Sequence, residues 1–218
     1  MASDNGQDGD IFNRAAPASI SAHIVDFNDT EVKEYASYFV MTNKDILTPG
    51  ECADLLKLVS PPNGAPWPAA TVTTYDSYQI LDLNSRFFIL NDALDIAGQF
   101  PIIHNETWRV SQLRHELGFL KYGPAQCFRP HCDGQFVDED GARSYLTAHL
   151  YLNGDEDVEW GATRFGVDFE HPREGKLDIN PTAGSLVIFQ QRDMYHEGVI
   201  VTKGTKYTMR TDVMYEKA

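Results

Sequence analysis

Two short stretches of this sequence carry side chains that can bind a metal ion. His131 and Asp133 stand two residues apart in YGPAQCFRPHCD, and His196 opens HEGVIVTKGTK. On a β-strand, residues i and i+2 point to one face, so one strand can present an imidazole and a carboxylate to one ion, with Cys132 directed away. Two histidines and a carboxylate form the ligand set that leaves positions open on iron(II). The pattern predicts a metal site with room for further ligands.

A cation follows the second of these stretches. Lys206 lies ten residues after His196 and begins the predicted strand KYTMRTDVMY, in which period-two spacing places Lys206, Thr208, Arg210 and Asp212 on one face. A buried cation is costly unless it meets an anion. For Lys206 we expect an anionic ligand. For Arg210 two alternatives remain: a ligand anion, or an ion pair with a protein carboxylate such as Asp212 or Glu216.

The composition is that of an ordinary globular protein. Apolar residues make up 42% of the 218 residues, and twelve Phe and ten Tyr can furnish a core. The net charge of −14 argues against a nucleic-acid partner. No apolar run is long enough for a membrane helix, and the N-terminus MASDNGQDGD is unlike a signal peptide. With three cysteines and no disulfide pattern, these features predict a cytoplasmic protein.

The chain is expected to hold one domain behind a short tail. Residues 1–18 are rich in Asp, Asn, Gly and Ala and are predicted to be disordered. Residues 19–218 are predicted to form the domain, with a helical region over about 19–107 and a β core over about 108–218.

Local signals place helices before strands. Thr48 to Glu51 can form a capping box that starts a helix, which Pro61 and Pro62 would end, and a second helix is predicted over about 91–98. Alternating apolar residues predict strands at 113–122, 144–153, 162–168, 185–190, 197–202 and 206–215. The expected fold class is mainly β with flanking helices (α+β), built as a jelly-roll core.

Six segments occur in an order and spacing that match a known family: ILTPGEC, FLKYGPAQCFRPHCDG, LTAHLYLN, GATRF, INPTAGSLVIFQ and YHEGVIVTKGTKYTMRTDVMY. Over about residues 45–215 the chain resembles the iron(II)- and 2-oxoglutarate-dependent dioxygenases, and within them the prolyl 4-hydroxylase-like branch. The resemblance implies a double-stranded β-helix fold and an oxidoreductase that uses Fe(II), 2-oxoglutarate and O2. It also implies hydroxylation of an unactivated C–H bond, with succinate and carbon dioxide as products.

The resemblance also assigns roles to residues at the centre of the site. His131, Asp133 and His196 match the iron ligands of the family. Lys206 stands where the family places the cation that pairs with the distal carboxylate of 2-oxoglutarate. Tyr122, nine residues before His131, stands where a tyrosine hydrogen-bonds the same carboxylate.

Further candidates surround this centre. Thr163 in GATRF matches a threonine that lines the cosubstrate, and Tyr151 is a candidate on the inner face of LTAHLYLN. His149 replaces an aliphatic residue of the family, and it is either a hydrogen-bond donor to a carboxylate or a core histidine with its bonds satisfied. Other departures are Trp160 and Ala125 in place of glycines and Ala162 in place of an acidic residue.

The sequence leaves the substrate open. Hydroxylation of a protein or peptide, with proline as the target, is the default that the resemblance implies. An oxygenase of a small anionic metabolite or free amino acid is the alternative, because Arg210 and Arg86 could each grip a carboxylate. Arg86 could equally be an exposed turn residue. The complete ligand set, with Lys206 and Tyr122, argues against a non-catalytic jelly-roll module and against a metalloenzyme that does not use 2-oxoglutarate.

Overall fold

The computed structural model describes residues 21–65, 67, 73–76, 102–103, 106–154, 156–167 and 175–218, whose strands form two facing antiparallel sheets and a ribbon. The large sheet contains β1 (Ala22–Ile24), β2 (Val40–Asn43), β3 (Thr73–Asp76), β4 (Ile102–Ile103), β5 (Glu106–Leu113), β6 (Glu116–Tyr122), β8 (Arg143–Tyr151), β12 (Leu186–Gln190) and β15 (Lys206–Lys217). The small sheet contains β7 (Phe128–His131), β10 (Thr163–Gly166), β11 (Lys176–Ile179) and β13 (His196–Gly198). The ribbon pairs β9 (Val158–Trp160) with β14 (Val201–Gly204).

Strand order brings distant parts of the sequence side by side. The large sheet runs β1-β2-β12-β8-β15-β5-β4, and β6 pairs with the first half of β15. The small sheet runs β11-β10-β13-β7. In this register Lys206 lies opposite Tyr122, and His196 lies opposite His131. The predicted jelly-roll core is confirmed.

Period-two alternation divides the large sheet into two faces. On β8, Leu146 and Leu150 point into an apolar cluster that also holds Leu55 of α1 (Pro49–Val59). The intervening residues Thr147 and His149 point to the other face, toward the small sheet. One strand therefore builds part of the core and part of a pocket.

Helix α1 begins where the sequence predicts. Thr48 Oγ1 accepts a hydrogen bond from the Glu51 N–H at 3.2 Å, and Glu51 Oε2 accepts one from the Thr48 N–H at 2.8 Å. The predicted capping box is thus confirmed, and Ser60 caps the other end ahead of Pro61. With 11 residues, α1 is too short to cross a membrane, and no helix of the described residues could do so.

Several sequence expectations differ from the structure. The region about 19–107 is not purely helical, since β1 to β4 join the large sheet, alongside α1 and single 3-10 turns at Phe27–Asp29, Lys33–Tyr35 and Pro62–Gly64. The single strand expected at 197–202 is two strands, β13 and β14. The chain changes sheets there, and Val199 N–H donates to Ala162 O between them. The tail at 1–18 and the helix at about 91–98 lie outside the described residues.

Two glycines allow loops to pass close to neighbouring backbone. Gly184 has φ +79°, and a Cβ there would lie 1.9 Å from Leu47 O. Gly204 has φ +83°, and a Cβ would lie 1.8 Å from Asp157 O. A side chain at either position would displace backbone, so these two turns, which lead into β12 and β15, require glycine.

Candidate metal centre and its pocket

A pocket of about 340 Å³ opens between the two sheets. Its wall combines apolar, aromatic and charged side chains: Leu120, Tyr122, Phe128, His131, Cys132, Asp133, Gly134, His149, Thr163, Phe189, His196, Glu197, Gly198, Lys206 and Arg210. A largely apolar wall with a few converging polar groups is typical of a small-molecule site.

The two histidines and the aspartate meet on one side of this pocket. One ligand atom from each of His131, Asp133 and His196 lies within 4.8 Å of the others. His131 Nε2 is 3.5 Å from Asp133 Oδ1, and His196 Nε2 is 3.9 Å from Asp133 Oδ2. The strand argument for Asp133 and Cys132 was wrong in detail, because β7 ends at His131. Asp133 reaches the site from the following loop, and Cys132 contributes to the wall.

Backbone carbonyls orient both imidazoles. His131 Nδ1 lies 2.8 Å from Arg129 O, and His196 Nδ1 lies 3.2 Å from Met194 O. A carbonyl oxygen can only accept, so Nδ1 carries the proton in each ring and Nε2 has its lone pair free. Fixing the tautomer in this way is typical of metal-binding histidines. The sequence did not reveal these partners, which lie two residues before each histidine.

The third group is a carboxylate that stays ionised. Burial acts to raise the pKa of Asp133, but the contacts with His131, Arg210 and His196 hold that pKa well below its usual range. Two neutral imidazole nitrogens and one anionic oxygen are donors that suit iron(II). The residues present therefore fit the metal that the sequence predicts.

Lys206 is a buried cation that has no carboxylate within ion-pair distance among the described residues. Its side chain is 2% exposed, and burial is the only influence on its pKa. Its Nζ instead lies 5.6 Å from the Tyr122 ring centroid and 5.3 Å from that of Tyr151. Burial lowers the pKa of Lys206 to about 8. The pocket thus holds a desolvated ammonium group that an anionic ligand would stabilise.

The other residues predicted to contact the cosubstrate fall into two groups. Tyr122 and Thr163 line the pocket. Tyr151 is fully buried, and its hydroxyl donates to Thr163 Oγ1 at 2.6 Å, so it supports the threonine from behind. Tyr151 is absent from the described lining, and its hydroxyl is already engaged.

His149 lines the pocket beside Lys206. Its Nε2 is shielded from solvent and has no hydrogen-bond partner among the described residues. Burial and the neighbouring Lys206 hold the pKa of His149 well below its usual value, so the ring is neutral. Of the two alternatives for this residue, a core histidine with its bonds satisfied does not match these contacts.

The structure describes one of the two arginines that could bind a carboxylate of a ligand. Arg210 Nη2 lies 3.3 Å from Asp133 Oδ2 and 3.3 Å from Asp212 Oδ1, which matches the ion-pair alternative. Arg86 lies outside the described residues, and its role stays a prediction.

Two aromatic residues that line the pocket were not identified from the sequence. The Phe128 ring centroid lies 4.3 Å from that of His131, and the Phe189 ring packs edge-on against His196 at 4.6 Å. Alternation along β12 could have pointed to Phe189, since its neighbour Ile188 belongs to the outer cluster. Phe189 shields the buried His196 from bulk water, whereas Phe128 is 45% exposed and leaves His131 partly accessible.

Two positions where this chain lacks a family glycine retain the backbone that glycine favours. Trp160 has φ +67° and Ala125 has φ +63°. A left-handed conformation costs a non-glycine residue roughly 1–2 kcal/mol. Both loops thus use a backbone conformation that glycine adopts without strain, and Trp160 is left 64% exposed.

Comparison with known proteins agrees with this geometry. Residues 117–211 match the model of the 2OG-Fe(II) oxygenase superfamily. This segment contains His131, Asp133, His196 and Lys206, and its match to that model indicates an oxidoreductase of the dioxygenase class. No curated protein matches the chain.

Solved structures with a similar fold include prolyl hydroxylases. One is the viral collagen prolyl hydroxylase of Paramecium Bursaria Chlorella virus-1 in complex with 2-oxoglutarate, with TM-score 0.52 and 16% identity over 80% of this chain and 95% of that chain. Another is a Pseudomonas putida prolyl-4-hydroxylase, with TM-score 0.55 and 18% identity over 84% of this chain and 95% of that chain. At these identities the similarity concerns the fold.

Proposed function

We propose that this protein hydroxylates a prolyl residue of a protein or peptide at an unactivated C–H bond. The observation that carries the proposal is one pocket that holds His131, Asp133 and His196 together with a buried Lys206, which has no ion-pair partner in the part of the chain that the structure describes. The prolyl target is supported by the shared fold of two prolyl hydroxylases. The small-anion alternative loses its support from Arg210, because that side chain contacts two protein carboxylates.

Each group around the pocket has a distinct task in this proposal. Nε2 of His131, Nε2 of His196 and the carboxylate of Asp133 hold the iron(II). Lys206 pairs with the distal carboxylate of 2-oxoglutarate, to which the Tyr122 hydroxyl donates a hydrogen bond. Thr163 contacts the cosubstrate from the small sheet, supported by Tyr151. When bound, iron and 2-oxoglutarate supply the oxidation, in which O2 gives one oxygen to the substrate C–H bond and one to succinate, with release of carbon dioxide.

The surrounding side chains keep this chemistry from water. Phe189 packs against the buried His196, and Phe128 and Leu120 contribute apolar surface to the wall. Excluding water strengthens the attraction between Lys206 and a carboxylate, because the local dielectric constant is lower.

The proposal is tested with matched peptides. The iron-loaded protein is incubated with 2-oxoglutarate, O2 and proline-containing peptides, with the same peptides carrying alanine for proline as controls. We expect succinate release above the peptide-free rate and the gain of one oxygen atom by mass only with the proline peptides. Equal stimulation by the alanine peptides, or stimulation by small acids alone, would contradict the prolyl assignment.

Lys206 gives cosubstrate binding a defined pH dependence. With a pKa of about 8, Lys206 in the cosubstrate-free protein loses its charge as pH rises through that value. We expect the dissociation constant for 2-oxoglutarate on the Mn(II)-loaded protein to rise about tenfold per pH unit above that point. The Lys206→Arg variant keeps its charge, so its affinity should change much less over the same range. A parallel decline in both proteins would place the titrating group elsewhere.

His149 is proposed to donate a hydrogen bond to the bound oxo acid. A neutral imidazole beside Lys206 can serve a carboxylate without adding charge. Because hydrogen bonds to charged groups are worth roughly 1.5–3 kcal/mol, His149→Leu should weaken 2-oxoglutarate binding by about tenfold or more. Titration calorimetry on the Mn(II)-loaded protein measures this. Unchanged affinity in a variant of equal or higher thermal stability would make His149 a packing residue only.

A further inference from the structure

The two carboxylate oxygens of Asp133 have unequal surroundings. Oδ2 accepts a hydrogen bond from Thr147 Oγ1 at 2.5 Å and lies 3.3 Å from Arg210 Nη2. Oδ1 lies 3.5 Å from His131 Nε2. A carboxylate oxygen offers about two acceptor positions. One hydrogen bond and one ion pair therefore engage Oδ2, and Oδ1 is the oxygen left for a cation.

Arg210 is itself held by an ion pair with Asp212. Asp212 Oδ1 lies 3.3 Å from Arg210 Nη2 and accepts a hydrogen bond from Gln191 Nε2 at 2.9 Å. The other oxygen, Asp212 Oδ2, lies 3.3 Å from Arg114 Nη1. Asp212 is 3% exposed, and a buried carboxylate requires such cations. Charges thus alternate from Glu116, which pairs with Arg114, through Asp212 and Arg210 to Asp133.

Charge alone does not explain a guanidinium group at this place. A positive charge next to the metal ligands repels a metal cation, so Arg210 should oppose metal binding if it acted only through its charge. Its contacts instead restrict the carboxylate that must bind the metal. Partners that orient a ligand typically contribute 10–100-fold to metal affinity or activity.

We propose that Arg210 and Thr147 are positioning residues of the metal centre. They hold Oδ2 of Asp133, so that Asp133 offers a single oxygen, Oδ1, to the metal, and Asp212 keeps Arg210 in place. The inference rests on the metal site proposed above.

The test measures Mn(II) binding without 2-oxoglutarate, by the electron paramagnetic resonance signal of free Mn(II). Arg210→Gln and Thr147→Val should each weaken Mn(II) binding by about tenfold or more. For Arg210→Gln this is the opposite of what loss of a positive charge predicts. Binding by Arg210→Gln that equals or exceeds that of the parent would overturn the proposal.

Matched controls separate positioning from general damage. Arg109→Gln removes an exposed arginine paired with Glu216, and Thr208→Val removes a buried hydroxyl without a partner among the described residues. Both should bind Mn(II) like the parent. If thermal unfolding shows that Arg210→Gln does not fold, Mn(II) binding is measured on Asp212→Asn and Thr147→Val instead. The proposal is overturned if both variants bind Mn(II) with the affinity of the parent. If the parent protein binds no Mn(II), the assignment of the metal site is wrong, and this inference is wrong with it.

Discussion

His131→Ala is expected to abolish succinate formation and to weaken metal binding by more than the roughly 10–100-fold that loss of an outer partner costs. The variant removes one of the three groups that converge within 4.8 Å. Among the described residues no other cluster of His, Cys, Asp and Glu could replace it. Mn(II) titration and a succinate assay measure the two effects separately.

The control for this variant is a histidine of the large sheet that lies away from the pocket. His23 is exposed on β1, and His23→Ala should keep the affinity and turnover of the parent. Full turnover by His131→Ala would remove His131 from the metal centre, and His196→Ala would then be tested in its place.

Lys206→Ala should raise the 2-oxoglutarate concentration required for half-maximal turnover by roughly 100-fold, while Mn(II) affinity stays close to that of the parent. The magnitude follows from the 2–5 kcal/mol that loss of one partner of a buried, hydrogen-bonded charge pair costs. Removing a buried, unpaired ammonium should also leave the cosubstrate-free protein at least as stable as the parent. Initial rates over a range of 2-oxoglutarate concentrations, with thermal unfolding, measure both.

Lys203→Ala is the matched control for Lys206→Ala. Lys203 is an exposed lysine of the ribbon, paired with Glu159, and its loss should leave the cosubstrate requirement unchanged. If Lys206→Ala showed the cosubstrate dependence of the parent, the carboxylate would have to bind elsewhere.

The sequence predicted what short-range patterns determine. The capping box at Thr48 determines the start of α1, and period-two spacing correctly placed Lys206 and Arg210 on one face of β15. The choice of His131, Asp133 and His196 depended on family motifs, since a His-x-Asp pair alone is common. Their convergence depends on pairing between β7 and β13, which are 65 residues apart at His131 and His196.

Contacts that depend on tertiary structure were not predictable from spacing. The contacts of Thr147 and Arg210 with Asp133 arise only after the loop that follows β7 folds back. The exact end of β7 also determines where Asp133 and Cys132 lie. That His149 Nε2 has no hydrogen-bond partner among the described residues is likewise a property of the packed pocket.

The most direct test of the central claim is an anaerobic titration of the iron(II)-loaded protein with 2-oxoglutarate, followed by visible absorption. We expect a weak charge-transfer band that saturates at one equivalent, because the pocket holds both the metal ligands and the carboxylate partner. The band should require far more cosubstrate in Lys206→Ala and be absent in His131→Ala. Iron binding without any such band in the parent would contradict the account, since the pocket would then be a metal site that does not take 2-oxoglutarate.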